Sequence, residues 1–301
     1  MAKSCDICYI KIQINMCGLF NEDTAYMTIQ QAVGRFKRII EDAIRENGVA
    51  GKNNLIRTQI PINLLHDAAK ASLIEAGVNP ESICPSYNTH VGEKKLAGFF
   101  KCKDQDICVL PNNLRPQPEI LEFEGILKGE RDLVGQEYTE AILSINVRSQ
   151  LSSVAKNFDT LYERTFAEAL NLHLRCPNMV LGEFYMIPVF EYDDKAAENH
   201  EVAFKMNPNV SKHIQKYIYS FNAVNNRSTT QGEEYKYERV CLLIVDFSRE
   251  TPYIYNTDEE LRRDGLLPAD STASIANLNF PSFISTLLSI YSQRFGEGRF
   301  I

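Results

Sequence analysis

The sequence predicts an α/β (α+β) protein with a mixed central sheet flanked by helices, and three stretches carry that prediction. From Ile29, the apolar residues Val33, Phe36, Ile40 and Ile44 recur at helical spacing. Between Ala141 and Val189 a strand pattern, a helix pattern and a second strand pattern follow in turn. Val240-Cys-Leu-Leu-Ile-Val245 is an unbroken apolar run of strand length. With 301 residues, 44% of them apolar, the chain can bury one large core. It reads as one domain, 1–301, with 1–90 a mainly helical N-terminal part and 91–301 the core that holds the chemistry.

In chain order, Thr28 and Gln31 form a capping-box pattern at the start of the first helix, and Gly48 marks its stop. Leu55 to Ile60 reads as extended. Pro61 suits the first turn of a helix running to Gly77. Residues 80–90 read as a loop. Leu96 to Cys102 and Ile107 to Leu110 are strand-like, separated by a charged turn, Lys103-Asp-Gln-Asp106. Residues 112–137 read as a long loop with a short strand at Leu121 to Leu127.

In the central unit, Ile142, Ser144, Asn146 and Arg148 alternate onto one face of a strand, and three of the four are polar. Thr160-Leu-Tyr-Glu163 is a second capping box, opening a helix to about Arg175 that Pro177 ends. Met179 to Val189 is a buried-strand pattern. Beyond it, Val210 to Val224 is helical, residues 225–238 read as a mobile polar surface loop, and Pro281 to Phe295 is a final helix with Leu287, Leu288 and Tyr291 inward.

Composition narrows the function. A net charge of −7 gives no bulk attraction to nucleic acid, so a DNA-binding surface has to be a local basic cleft. No apolar run approaches the roughly 18 residues that span a bilayer, and the N-terminus lacks a secretory pattern, so the expectation is a cytoplasmic protein with no membrane partner. Eight cysteines are too few for a disulfide scaffold. Cys5-x-x-Cys8 with Cys17 lacks the second pair a zinc site needs, so these read as free thiols. His66, His90 and His173 stand in no catalytic motif, and the glycines are wrongly spaced for a phosphate loop.

A magnesium-dependent phosphodiesterase needs carboxylates converging on a metal, with polar or cationic groups beside the attacking water. Asp106 or Asp132 supplies the first carboxylate in this reading, and Ser144, Asn146 and Arg148 orient water and phosphate. Of the two helix glutamates, Glu163 belongs to the capping box. Glu168 shares a helical face with Arg164, Asn171 and Arg175.

The run Ile142 to Arg148-Ser149, then Asn157, then Arg164-Thr-Phe-Ala-Glu-Ala-Leu-Asn-Leu172 resembles the type II restriction endonucleases of the PD-(D/E)XK superfamily. It is most similar to the branch that cuts CCGG-centred sites, in which the second acidic ligand has moved from strand to helix. The resemblance implies a restriction-endonuclease-like fold and Mg²⁺ held by Asp106 (or Asp132) and Glu168. It also implies a catalytic set of Asp106, Asp132, Ser144, Asn146 and Glu168, and in-line hydrolysis of double-stranded DNA to leave a 5′-phosphate. Arg148 and Ser149 match the family's Arg-Ser pair. No lysine stands on the strand, its place falling to Asn146 or Ser144.

A nuclease of this kind also needs a basic cleft, expected from Lys94, Lys95, Lys101, Lys103, Arg148, Ser149, Lys156, Arg164 and Arg175, with base reading from 225–238. Cutting both strands of a symmetric site implies a homodimer, or a tetramer of paired dimers. Two other readings stand beside this one. The missing lysine suits a nuclease-like fold that binds DNA without cutting, and the acidic charge suits a scaffold protein whose polar strand face is an exposed sheet surface.

Overall fold

Thr28 starts the first helix as its sequence pattern requires. Its Oγ accepts a hydrogen bond from Gln31 N at 3.2 Å, and Gln31 Oε1 accepts from Thr28 N at 2.9 Å. Such a cap stabilises the helix by about 1 kcal/mol. The structure, a computed structural model, describes residues 26–298. The cysteine pattern at Cys5, Cys8 and Cys17 lies outside the described residues.

Helix α1 (Ile29–Arg57) does not end at Gly48. That residue adopts φ 61° and kinks the chain, and the helix then resumes through the segment read as extended. Tertiary contact overrides the stop signal. A Cβ at Gly48 would come within 2.9 Å of Ala197 O, and the buried Lys52 just beyond is ion-paired with Asp194. Helix α2 (Ile60–Glu75) carries Pro61 in its first turn, as expected.

The loop at 80–90 includes a short strand, β1 (Ile83–Cys84). Strands β2 (Lys94–Ala97) and β3 (Cys102–Gln105) form a separate hairpin, and β4 (Ile107–Val109) follows at once. Lys103-Asp-Gln105 is therefore strand, and the turn lies earlier, at 98–101. Asn171 fixes that turn. Its Oδ1 accepts from Phe100 N and Lys101 N, its Nδ2 donates to Lys101 O, and only glycine at 98 leaves room for its amide. The 112–137 segment pairs as β5 (Glu119–Ile120) with β6 (Arg131–Asp132), so Leu121 to Leu127 is the turn between strands and not a strand.

After a short helix, α3 (Gln136–Glu140), come β7 (Leu143–Ser149), α4 (Phe158–His173) and β8 (Val180–Pro188). Helix α4 starts at Phe158, so the Thr160–Glu163 pattern sits inside its first turns. The anchor is apolar, Phe158 packing edge-on against Tyr217 at 4.7 Å. The chain continues through α5 (Asp194–Glu198), α6 (Val210–Ala223), β9 (Arg239–Asp246), β10 (Tyr253–Tyr255), α7 (Asp258–Arg263) and α8 (Phe283–Phe295).

Residues 225–238 are not the mobile loop expected. Tyr237 is buried with its hydroxyl on Thr165 O at 2.9 Å, and Arg227 bonds Glu238 at 3.1 Å and Pro177 O at 2.7 Å.

Six strands form one mixed sheet in the order β1-β4-β7-β8-β9-β10. β7, β8 and β9 are parallel and the remaining pairs antiparallel. Helices α1, α2 and α8 cover one face, packing on Ile145, Phe184 and Leu243; α4 and α6 cover the other, packing on Leu181, Tyr185 and Leu242. Burying a side chain such as Phe184 contributes roughly 1.5–3 kcal/mol. Gly182 lets α8 lie close, since a Cβ there would meet Leu287 at 2.8 Å. The helical N-terminal segment thus shares a core with the sheet. Among the described residues, no helix is long and apolar enough to cross a membrane.

Candidate functional site

Sheet register assembles the site. β4 pairs Ile107 with Ile145 of β7, and β7 pairs Asn146 with Glu183 of β8. Asp106, one residue before β4, therefore joins Asn146 and Glu183 in a polar row across three neighbouring strands. Alternation puts this row on the face that α4 covers. Ser144 and Asn146 are 1% and 2% exposed, so the polar face of β7 is interior and not an outer sheet surface.

Two cations bind the row to α4. Lys103 Nζ lies 2.7 Å from Glu168 Oε1, and the Arg148 guanidinium pairs with Glu168 Oε2. Arg148 Nε lies 3.0 Å from Glu183 Oε1. Asp106 Oδ2 accepts from Val147 N at 2.7 Å. The Asn171 clamp on the β2–β3 turn is what carries Lys103 to Glu168, since Asn171 stands one helical turn beyond Glu168 on the same side of α4.

Glu183 is fully buried, and among the described residues neither of its oxygens accepts from a backbone N–H. Asn146 Oδ1 is in the same state. Burial raises the Glu183 carboxyl above its ordinary range, against the pull of Arg148 and Lys103. Asp106 is raised too, by burial, against its Val147 hydrogen bond and Lys103. Burial draws the Lys103 ammonium down, helped by Arg148. Burial opposes the Arg148 charge, but Glu183 and the other anions around it more than offset this and hold the guanidinium protonated. Glu93 joins this field, raised by its own desolvation and then by Asp106 and Asp104.

The group opens into a cleft of about 420 Å³ with a polar floor of Lys103, Asp106, Arg148, Ser149, Arg164 and Glu168. Ile56, Ile62, Leu151 and Leu161 supply apolar walls. Lys101 lies in the same electrostatic field, its ammonium drawn down by desolvation and then by Lys103, Arg164 and Arg148.

Several sequence-based assignments are corrected. Asp132 is not at the site. It accepts from Val134 N, Gly135 N and Arg175 Nη2, a saturated structural carboxylate. Arg175 is spent there too, on Asp132, Glu119 and Ala97 O, and does not line the cleft. Ser144 is within the row's face but bonds Gln105 Oε1 at 3.0 Å, out of reach of the cleft. Lys94 and Lys95 stand on β2 and Lys156 on an exposed turn, none of them lining the cleft. His66 is buried, and desolvation lowers it to about 3; His90 faces Asp67 at 3.3 Å, and His173 faces Glu238 at 3.4 Å. None of the three histidines lines the cleft.

Sequence reasoning missed Glu183 and gave Lys103 only a peripheral role. Glu183 had a readable signal, as the one charged residue inside the buried strand Val180–Pro188, where an ionised group is costly unless it is paired or used. Lys103 had none, because its place depends on a turn held by Asn171, distant in sequence.

The donors fit a hard divalent cation in kind, being carboxylate and amide oxygens with unfilled lone pairs. They do not form a dedicated cage: among the described residues no three of His, Cys, Asp and Glu stand together as metal ligands. Mg²⁺ commonly needs only one or two carboxylates, completing its shell with water and substrate phosphate. No family model, characterised protein or solved structure matches the chain.

Proposed function

We propose that the chain is a magnesium-dependent endonuclease acting on double-stranded DNA, of restriction type. One observation carries this reading. Asp106 and Glu168, from a strand edge and a helix, meet Lys103 and Arg148 in a single cleft, and Glu183 of the central strand lies buried behind Arg148. Phosphoryl chemistry needs both signs together, anions for a metal and cations for the phosphate, and the cleft offers both.

Asp106 and Glu168, the carboxylates that line the cleft, would hold the ion, with Glu183 buried behind them. When bound, Mg²⁺ supplies Lewis-acid activation of the phosphate and acidifies a water. The chain's residues do the rest. Arg148 and Arg164 neutralise phosphate oxygens in the cleft, and Arg148 offers two donors in a fixed fork. Lys103 Nζ, 2.7 Å from Glu168 Oε1, would stand in for the lysine absent from β7 by hydrogen-bonding the attacking water or phosphate. A homodimer would present two such clefts to the two strands of a symmetric site.

A DNA-binding protein that does not cut is the second reading, favoured by the fact that Lys103 and Arg148 already neutralise two of the three carboxylates. Plasmid incubated with the protein and Mg²⁺ separates the two: discrete fragments mean an enzyme, a retarded but intact plasmid a binder. Glu168→Ala is expected to lower cleavage by about 10³-fold, several kcal/mol of transition-state stabilisation, while retaining DNA binding. A fully active variant would remove the site as drawn.

A further inference from the structure

Arg148 is held from behind. On the sheet it pairs with Tyr185, which puts Asn146 and Glu183 two residues back on the face that α4 covers. Glu183 Oε1 lies 3.0 Å from Arg148 Nε, and Asn146 and Tyr237 stand against the same carboxylate. On the other side Glu168 pairs with Arg148 Nη2. These two contacts leave over Nη1, with its two N–H groups, on a side chain that is 17% exposed and lines the cleft. Burial opposes the Arg148 charge, and Glu183 is foremost among the groups that sustain it.

Neither neutralisation nor stability calls for this arrangement. Glu168 already has Lys103 Nζ at 2.7 Å, and an apolar side chain of similar volume commonly serves a core as well as a buried ion pair does. What a buried carboxylate on Nε adds is direction. A guanidinium fixed at one edge presents its other N–H groups in a set plane, and it loses less freedom when an anion arrives. The cleft suits an anion, since Lys103, Arg148 and Arg164 line it against Asp106 and Glu168. We propose that Glu183 is a positioning residue: its buried carboxylate fixes Arg148 so that the Nη1 edge receives a phosphate group in the cleft, with no metal ion needed. That the anion is a phosphate rests on the nuclease reading, whereas the action of Glu183 through Arg148 does not.

The test is calorimetric titration of inorganic phosphate into the full chain in metal-free buffer of fixed pH and ionic strength. Wild type is expected to bind saturably, and Arg148→Gln about tenfold more weakly. Glu183→Gln should weaken binding about fivefold with an unchanged melting temperature. The sign discriminates, because by Coulomb's law alone the loss of a nearby negative charge tightens the binding of an anion. In the Arg148→Gln background, Glu183→Gln should change the affinity by less than about twofold, since the side chain it acts through is gone.

Tightened or unchanged phosphate binding by Glu183→Gln overturns the assignment, as does an equal loss in both backgrounds or no binding by wild type. If Glu183→Gln does not fold, Glu183→Asp carries the comparison, because it keeps the charge and withdraws the carboxylate from Nε by one methylene. A Glu183→Asp affinity equal to wild type then overturns it. Plasmid digestion by the wild type is read separately. Cleavage with an unchanged Glu183→Gln phosphate affinity removes the positioning role and leaves the nuclease, and weakened phosphate binding in that variant without wild-type cleavage does the reverse.

Discussion

Glu183 and Glu238 are both fully buried, one on β8 and the other one residue before β9, yet they stand in opposite states. Glu238 accepts from Leu181 N at 2.8 Å, Arg227 Nη1 at 3.1 Å and Arg294 Nη1 at 2.7 Å, with His173 Nε2 at 3.4 Å. Burial alone would raise its carboxyl, but the His173 contact and Arg294 outweigh it and hold it at about 2. Glu183 has one cation, Arg148, 3.0 Å from Oε1 and no backbone N–H on either oxygen, and burial raises it. The same contrast separates Asp132, saturated by two backbone N–H groups and Arg175, from Asp106, which faces the cleft. Burial of a carboxylate does not identify its job; what fills its lone pairs does.

This contrast breaks most clearly at its two glutamates. Glu183→Gln should abolish cleavage, by about 10³-fold, without lowering the melting temperature, because it removes a buried charge that the fold does not satisfy. Glu238→Ala should do the opposite, costing roughly 3–5 kcal/mol by leaving Arg227 and Arg294 around an empty space. Thermal unfolding would record this as a fall of about 10 °C or more. Matching losses of stability in the two variants would mean that Glu183 is structural after all.

Acid sharpens the same comparison. Glu238 is lowered from an ordinary 4.5 to about 2, so its contribution is complete above pH 4.5 and is lost as pH falls through 2. Glu183 and Asp106 are raised, so they favour the fold at low pH and lose that contribution as pH rises through their folded values. Wild type should therefore lose stability between pH 4.5 and 2 more steeply than Glu238→Gln, as measured by denaturant midpoints. The smallest effect belongs to the cleft rim. Arg164→Ala should weaken DNA binding modestly and reduce the salt dependence of affinity by about one phosphate contact, whereas Lys156→Ala, away from the cleft, should leave that slope unchanged.

The amino-acid sequence by itself determined the elements whose signals are local. The capping box at Thr28, Pro61 in a first turn, the alternation along β7 and the apolar runs of β8 and β9 all act within a few residues, and each appears in place. It also put Arg148, Glu168 and Asp106 forward as one group. Only the tertiary structure decided between Asp106 and Asp132, brought in Glu183, moved Lys103 to the centre and carried α1 past Gly48. Each of those outcomes depends on a partner far along the chain: Arg175 for Asp132, Asn146 across the sheet for Glu183, Asn171 for the Lys103 hairpin, Ala197 and Asp194 for the kinked helix. Local pattern sets which backbone conformation a segment prefers. Whether a buried carboxylate is saturated or left with open lone pairs depends on which donors the folded chain brings to it, and no window of sequence contains both.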